Sequence, residues 1–200
     1  MRDLGVSRMT ANRALRELSE MGVLTRIAGV GTFVADLKAV SHPLSIRNIA
    51  DEIRQRGHQH RAKVISLERL PPPEEIRERL ALPRAVRKVF HSVIVHYEND
   101  RPLQLEDRYV NPSLAPGYMD VDFTQITPNE FLTGAAPLQR VEHTVKAATA
   151  SGRVRKLLEL APEESVLLIE RVTWSGGARA SLALLHHPGN RYELSGQFSP

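Results

Sequence analysis

Cysteine does not occur in this chain of 200 residues, which excludes disulfides and thiol chemistry and fits a reducing cytoplasm. Long apolar runs are missing as well: none approaches the ~18 residues that a membrane span needs. Charge begins at Arg2 and Asp3 with no apolar stretch before it, so neither a secretory leader nor a membrane partner is expected. Internal repeats and low-complexity tracts are also absent. Neither sign of charge dominates. The 27 Lys and Arg against 23 Asp and Glu leave a net +4 and a pI of about 9.7, a small margin that permits a polyanionic partner. What is present, 42% hydrophobic and 25% charged residues, suits one or two globular domains in the cytoplasm.

The most organised stretch is Val89–Pro112, VFHSVIVHYENDRPLQLEDRYVNP. It reads as a β-branched, aromatic-rich run, a turn cluster from Glu98 to Pro102, and a second alternating run. Two hairpin registers are open to it. A two-residue Asn99-Asp100 turn pairs His96 with Leu103 and mixes polar with apolar on each face. A three-residue loop, Asn99 to Arg101, sorts them. Val93, Val95 and Tyr97 then share a face with Leu103, Leu105 and Tyr109, while Ser92, Ile94 and His96 share the other with Gln104, Glu106 and Arg108. A slip of one residue reverses every side chain, so the sorted register is the expectation. One face is core. The other is either solvated, as antiparallel sheets often are, or the floor of a polar pocket.

Near the start, GVSRMTANRALRELSEM at 5–21 is a helix capped by Ser7, with Met9, Ala14, Leu15, Leu18 and Met21 at helical spacing. The opposite stripe carries Arg8, Asn12 and Arg16, flanked by Thr10 and Arg13. These are side chains that meet base edges and phosphates: Arg bidentate to guanine, Asn to adenine, hydroxyls to phosphate. The plain alternative is an amphipathic surface helix. A short strand at Gly22–Ile27, a turn at Gly29-Val30-Gly31 and a returning strand at Thr32–Ala35 follow, which together make the recognition helix and wing of a winged helix-turn-helix.

Residues 37–45 read as a linker. Ser45 precedes Ile46, Ile49, Ala50 and Ile53, a helical stripe that stops at Gly57, with Asn48 off the stripe near its start. His58-Gln59-His60 lacks the companions a metal site needs, so no metal or cofactor is expected. A strand over 62–70 and a short helix over Glu74–Leu82 come next. Beyond the hairpin, Thr127 caps a helix that starts with Pro128; Gln139–Thr149 is a strand, and Ser151 caps Gly152–Leu160. Val166–Ser175 and Ser181–His187 are strands around Gly176-Gly177, and Pro188-Gly189-Asn190 turns into a last strand, Tyr192–Phe198. This order predicts an α+β fold with about six mostly antiparallel strands.

The stretch GVSRMTANRALRELSEMGVLTRIAGVGTFV, Gly5–Val34, resembles the recognition helix and wing of the GntR family of bacterial repressors. The resemblance implies that Ser7, Arg8, Thr10 and Asn12, with wing residues Gly29, Gly31 and Thr32, face double-stranded operator DNA, and the polar stripe of the helix adds Arg16 to them. Family members carry a first helix and most of a second before the position of Gly5. The resemblance therefore implies a partial winged helix in residues 1–36, from a late start codon or a true loss, and poor DNA binding by these 200 residues alone.

Residues 46–200, from IRNIADEI through LEDRYV to HPGNRY, resemble the UTRA effector-binding domain, with its chorismate lyase-like fold. Finer features, ADEIRQRGH, VFHSVIVHYEN, PLQLEDRYVNP, DFTQITPNEFL, TWSGG and HPGNRY, are similar to the histidine-utilisation repressors within that group, which respond to urocanate. Phosphosugar-binding members carry two Arg where this chain has Ile94 and His96, and a Glu that is present as Glu106. The resemblance implies a small, flat, partly apolar effector held by Asn48, Ser92, Ile94, His96, Glu106, Thr127 and Tyr192, and a homodimer held by the sheet domain.

Three functions are weighed. A lyase with this fold exists, but fold alone transfers no chemistry, and no nucleophile with its base and orienting partner is present, so no catalytic residue is assigned. A stand-alone effector or dimerisation domain would have lost DNA binding. A ligand-responsive repressor accounts for both halves of the chain. In the repressor, Arg8→Ala is expected to weaken operator binding by about 1–3 kcal/mol, most at the base pair it contacts, as read by gel shifts on operator variants.

Overall fold

The computed structural model describes residues 7–20, 24–27, 31–34 and 48–194, and the chain divides into two compact units. In the first, helix α1 (Arg8–Glu20) precedes an antiparallel ribbon of β1 (Leu24–Ile27) and β2 (Gly31–Val34), paired Leu24 to Val34 and Ile27 to Gly31. Ser7 caps α1 as expected, its Oγ accepting from the Thr10 N–H at 3.1 Å. Strand β2 begins one residue earlier than the sequence suggested, at Gly31, which pairs with Ile27. The apolar stripe also differs: Met9 is 83% exposed, and Ala14 and Leu15 are exposed too. Leu18 and Met21 of the same stripe lie outside the described side chains.

The second unit, Ile46–Leu194, is built on a six-stranded antiparallel sheet. Its strands are β3 (His60–Leu70), β4 (Val89–Glu98), β5 (Arg101–Val110), β6 (Arg140–Ala148), β7 (Val166–Ser175) and β8 (Ala178–Pro188), in the order β3-β4-β5-β8-β7-β6. The helices are α2 (Ile49–Gln55), α3 (Glu74–Arg79), α4 (Pro128–Ala135) and α5 (Gly152–Leu157), with a 3-10 helix at Pro116–Asp120. None of the described helices is long and apolar enough to cross a membrane.

Alternation along β4 divides the core. Val93 and Val95, with Leu105 of β5, pack against Val154 and Leu158 at α5, and Val89 lies with Leu182 under Ile76 and Leu80 at α3. Phe90 and Ile94 point the other way, into Tyr118, Phe123 and Leu132. With apolar layers on both sides, β4 is buried from Val89 to His96, and its polar strip is not a solvated face.

The hairpin combines both registers open to the sequence. Its turn is the two-residue one, closed by Glu98 opposite Arg101, with Asn99 at φ 55° in the left-handed region that Asn tolerates. The strand bodies keep the sorted register, Ile94 opposite Glu106 and His96 opposite Gln104. Between them the partner of Tyr97 becomes Pro102, so Leu103 is an extra residue, a β-bulge. Leu103 consequently does not join Leu105, as expected, but packs with Ile49 and Ile53 of α2. The bulge lets a tight turn close without inverting the faces of β4 and β5.

Two helix starts are tied together. The N-cap of α2 is Asn48, whose Oδ1 accepts from the Ala50 N–H at 3.2 Å; Ser45 and Ile46, read as preceding and opening this stripe, lie outside the described residues. Thr127 caps α4, accepting from the Glu130 N–H at 3.1 Å, and its hydroxyl donates to Asn48 Oδ1 at 3.0 Å. At the far end the expected strand from Tyr192 does not form over the described residues 192–194. The N–H groups of Arg191 and Tyr192 curl back onto the Pro188 carbonyl, and Gly189 sits so close to Ser165 that a Cβ would collide with it. Asn48→Ala removes an acceptor shared by two helix starts. It should lower stability by about 0.5–2 kcal/mol, as read from urea unfolding midpoints, with Asn48→Asp recovering most of the loss.

Candidate effector site

The polar strip of the hairpin continues across the sheet. Arg108 of β5 and Arg171 of β7 both lie opposite Ala183 of β8, so the face that carries Ser92, His96, Gln104, Glu106 and Arg108 also carries Ser181, Ala183, His187, Arg171 and Thr173. All of these are buried. Burying so many polar groups is tolerable only if they satisfy one another, and three short runs of hydrogen bonds satisfy most of them. His60 Nε2 and His96 Nδ1 are 3.0 Å apart; Arg108 Nε donates to Glu106 Oε1 at 2.6 Å and its Nη1 to Ser181 Oγ at 2.9 Å; Ser181 meets Thr173 at 2.8 Å. Gln104 reaches His187 at 3.2 Å, and Tyr192 stacks on the His187 ring at 3.8 Å between centroids while its hydroxyl donates to Glu52 Oε2.

Besides His187 Nδ1, two donors on this face lack hydrogen-bond partners among the described residues. One is Arg108 Nη2, on a side chain 1% exposed. The other is His96 Nε2, which stands 3.6 Å from Glu106 Oε2, beyond hydrogen-bond reach. A buried face with donors to spare is a place for an acceptor-bearing ligand.

The residues assigned from the sequence separate into groups. His96, Glu106 and Tyr192 belong to the polar cluster. Ser92 is occupied by Tyr118, hydroxyl to hydroxyl at 2.7 Å, and Ile94 is enclosed by Phe90, Tyr118 and Phe123. Asn48 and Thr127 hold each other and their helix starts. On α1, Ser7, Thr10 and Asn12 are exposed, Ser7 Oγ and Thr10 Oγ1 meet at 2.9 Å, and Arg8 and Arg16 stand on the same helix. Gly31 and Thr32 are in β2, and Gly29 lies outside the described residues. Arg171, Thr173, Ser181 and His187 were missed. Polar residues alternating with apolar ones along β7 were visible in the sequence, but which strand β7 lies beside was not. Among the described residues no group of three or more His, Cys, Asp or Glu could hold a metal ion.

The UTRA domain family matches residues 55–193, and the gntR family of bacterial regulatory proteins matches residues 1–34. The chain belongs to the gntR family and carries a UTRA domain. This UTRA regulator is 53% identical to the histidine utilization repressor of Pseudomonas aeruginosa, over 98% of its own length and 78% of that protein's. Among solved structures it is similar to the C-terminal domain of the histidine utilization repressor from Pseudomonas syringae, at 43% identity and a TM-score of 0.68, covering 71% of this chain and 100% of that one. PhnF from Mycobacterium smegmatis shares the fold at 20% identity and a TM-score of 0.70, over 99% of this chain and 88% of that one. The relatives are transcriptional repressors, not enzymes, and the match to the Pseudomonas aeruginosa repressor takes in α1 and the wing as well as the sheet. A stand-alone effector domain is therefore not favoured.

Electrostatics on the polar face of the UTRA regulator favour neutral imidazoles and one ionised carboxyl. Burial pushes the Glu106 carboxyl up, but the Arg108 guanidinium and then His96 outweigh it and hold it down at about 2. Burial, with the Arg171 charge next, lowers His187 to about 3, and burial with His96 lowers His60 to about 4. All three values lie below those of the unfolded chain, ~6.5 for His and ~4.3 for Glu, so the unfolded state binds more protons in acid. The contribution of the histidines is full above pH ~6.5 and is lost as pH falls toward their folded values; that of Glu106 is lost between ~4.3 and ~2. The thermal midpoint should fall as pH drops from 7 to 4, and His187→Gln should flatten that fall, in melts across the range.

Proposed function

We propose that this protein represses histidine-utilisation genes and leaves its operator when urocanate binds the polar face of the sheet. The reading takes its physiological role from the histidine utilization repressors it resembles. It takes its site from one observation: a buried face on which Arg108 Nη2 and His96 Nε2 are donors without acceptors. Residues 1–36 form the DNA-reading module, 37–45 the linker and 46–200 the effector domain, and the active species is a homodimer reading two half-sites. Ser7, Arg8, Thr10, Asn12, Arg16, Gly29, Gly31 and Thr32 meet DNA.

Urocanate is a planar imidazole conjugated to a carboxylate. Its ring N–H needs an acceptor, for which Glu106 is placed, and its unprotonated ring nitrogen can accept from His96 Nε2. A flat ring needs a flat wall, and the stacked His187 and Tyr192 rings provide one. Release from DNA requires that urocanate bind the DNA-incompetent state more tightly than the competent one. Calorimetric titration of urocanate, histidine and N-acetylglucosamine 6-phosphate, with operator release followed by fluorescence anisotropy, tests the reading. Urocanate should bind tightest and release DNA. His96→Asn should weaken it by roughly two- to tenfold, the loss of one hydrogen bond between uncharged groups, about 0.5–1.5 kcal/mol. A phosphosugar binding tighter than urocanate would sink the assignment.

A further inference from the structure

We propose that Arg108 and Arg171, facing each other across Ala183, form a clasp for a carboxylate, the anionic end of the effector. The proposal deepens the effector reading above and rests on its site. It places the anionic end of the ligand on a pair of strands that do not adjoin, whereas the oxygens of Asn48 and Thr127 are engaged at the helix starts.

Register carries the first part of the argument. Ala183 of β8 is opposite Arg108 on one side and Arg171 on the other. The two arginines therefore stand on one face at the same level, two strand spacings or about 10 Å apart at the backbone. The residue between them has only a Cβ, so nothing bulky separates the guanidiniums from below, while Tyr192 packs on the cluster of Ala183 with Ile169 and Leu185.

Charge carries the second part. Arg108 is 1% exposed and Arg171 7%, and the carboxylate fully buried beside them is Glu106, which Arg108 already holds at 2.6 Å. Arg171 Nε donates to His143 Nε2 at 2.7 Å and its Nη1 to Asn129 Oδ1 at 3.4 Å, both uncharged acceptors. Among the described residues no carboxylate makes an ion pair with Arg171. The remaining charged neighbour, Glu52 on α2, is half-buried and accepts from the Tyr192 hydroxyl at 3.2 Å. The buried face thus holds two cations to one anion. An ion out of water without a counter-charge is unfavourable unless something completes it. Consistent with that, burial and then the like charge of Arg108 bring Arg171 down to about 10, still a cation at neutral pH. A ligand carboxylate between the guanidiniums balances the charge, gives Arg108 Nη2 an acceptor, and lets arginine's planar fork meet a planar anion.

The test uses the full chain and a panel of heteroaromatic monocarboxylates headed by urocanate, each paired with its methyl ester, in calorimetry and thermal shift. The wild type should bind the best acid at least about a hundredfold tighter than its ester. Arg171→Met should weaken the acid by about thirty- to a hundredfold, leave the ester unchanged, and keep or raise the melting temperature, since a buried charge without a partner is removed. Arg171→Lys should recover part of the affinity. Another acid preferred over urocanate, with the same Arg171 dependence, overturns the urocanate assignment and supports the clasp. Equal weakening of acid and ester overturns the clasp in favour of a structural Arg171. So does an unchanged acid affinity in Arg171→Met, or a wild type that binds no acid better than its ester.

Discussion

A carboxylate and two guanidiniums lie buried on one face of an antiparallel sheet, and the second unit is arranged around the need to accommodate them. The Glu106–Arg108 pair at 2.6 Å takes two ions out of water, at a desolvation cost of several kcal/mol each by general estimates. Mutual attraction offsets that only when the remaining donors and acceptors are also met. The chain from His60 through His96, and on from Arg108 through Ser181 to Thr173, supplies most of them from five neighbouring strands, β3, β4, β5, β8 and β7. What it leaves unmet, at His96 Nε2 and Arg108 Nη2, lies beside the Glu106 carboxylate.

The elements that cover this face are short, and polar contacts hold them in place as much as apolar area does. Helix α2 has seven residues and α4 eight, lengths that are marginal in isolation. Their starts share the Asn48–Thr127 hydrogen bond, and α2 is also tied through Glu52 to Tyr192, which stacks on His187 of the sheet. The bulged Leu103 adds an apolar contact under Ile49 and Ile53. On the opposite face α3 and α5 lie on larger apolar clusters, and α3 is also tied to the sheet by Arg79 to Glu170 at 2.9 Å and by Arg179, which donates to the Glu78 and Arg79 carbonyls. One side of the sheet is built for packing, and the other keeps polar side chains in fixed positions.

Fixed positions matter for recognition because a buried donor rejects a ligand that cannot satisfy it. Imidazoles held neutral by burial and by neighbouring cations, as at His60 and His187, add hydrogen-bonding capacity without adding charge. The charge on the face is therefore set by arginine and glutamate, which do not titrate near neutrality.

Most of the elements, and the faces of the β4 and β5 strand bodies, were legible in the sequence, although the strand expected from Tyr192 does not form over the described residues. Strict alternation in Val89–Pro112 specified which residues of β4 and β5 are apolar, because one slipped residue would have put Ser92, His96 and Glu106 in the aliphatic layer. Ser7, Thr127 and Ser151 were legible as caps because a side-chain oxygen before a helix has one geometric use, and the order of helices and strands made an α+β sheet the economical answer. The bulge at Leu103 was not legible, since a turn and a strand body each satisfied a different register locally. Nor was the site's second half. Arg171 and Arg108 are 63 residues apart and meet across Ala183 only because β8 inserts between β5 and β7, a choice made by packing of the whole sheet rather than by any local pattern. Hydrogen bonding between strands is indifferent to which strands they are. Only the tertiary structure decides which charges become neighbours.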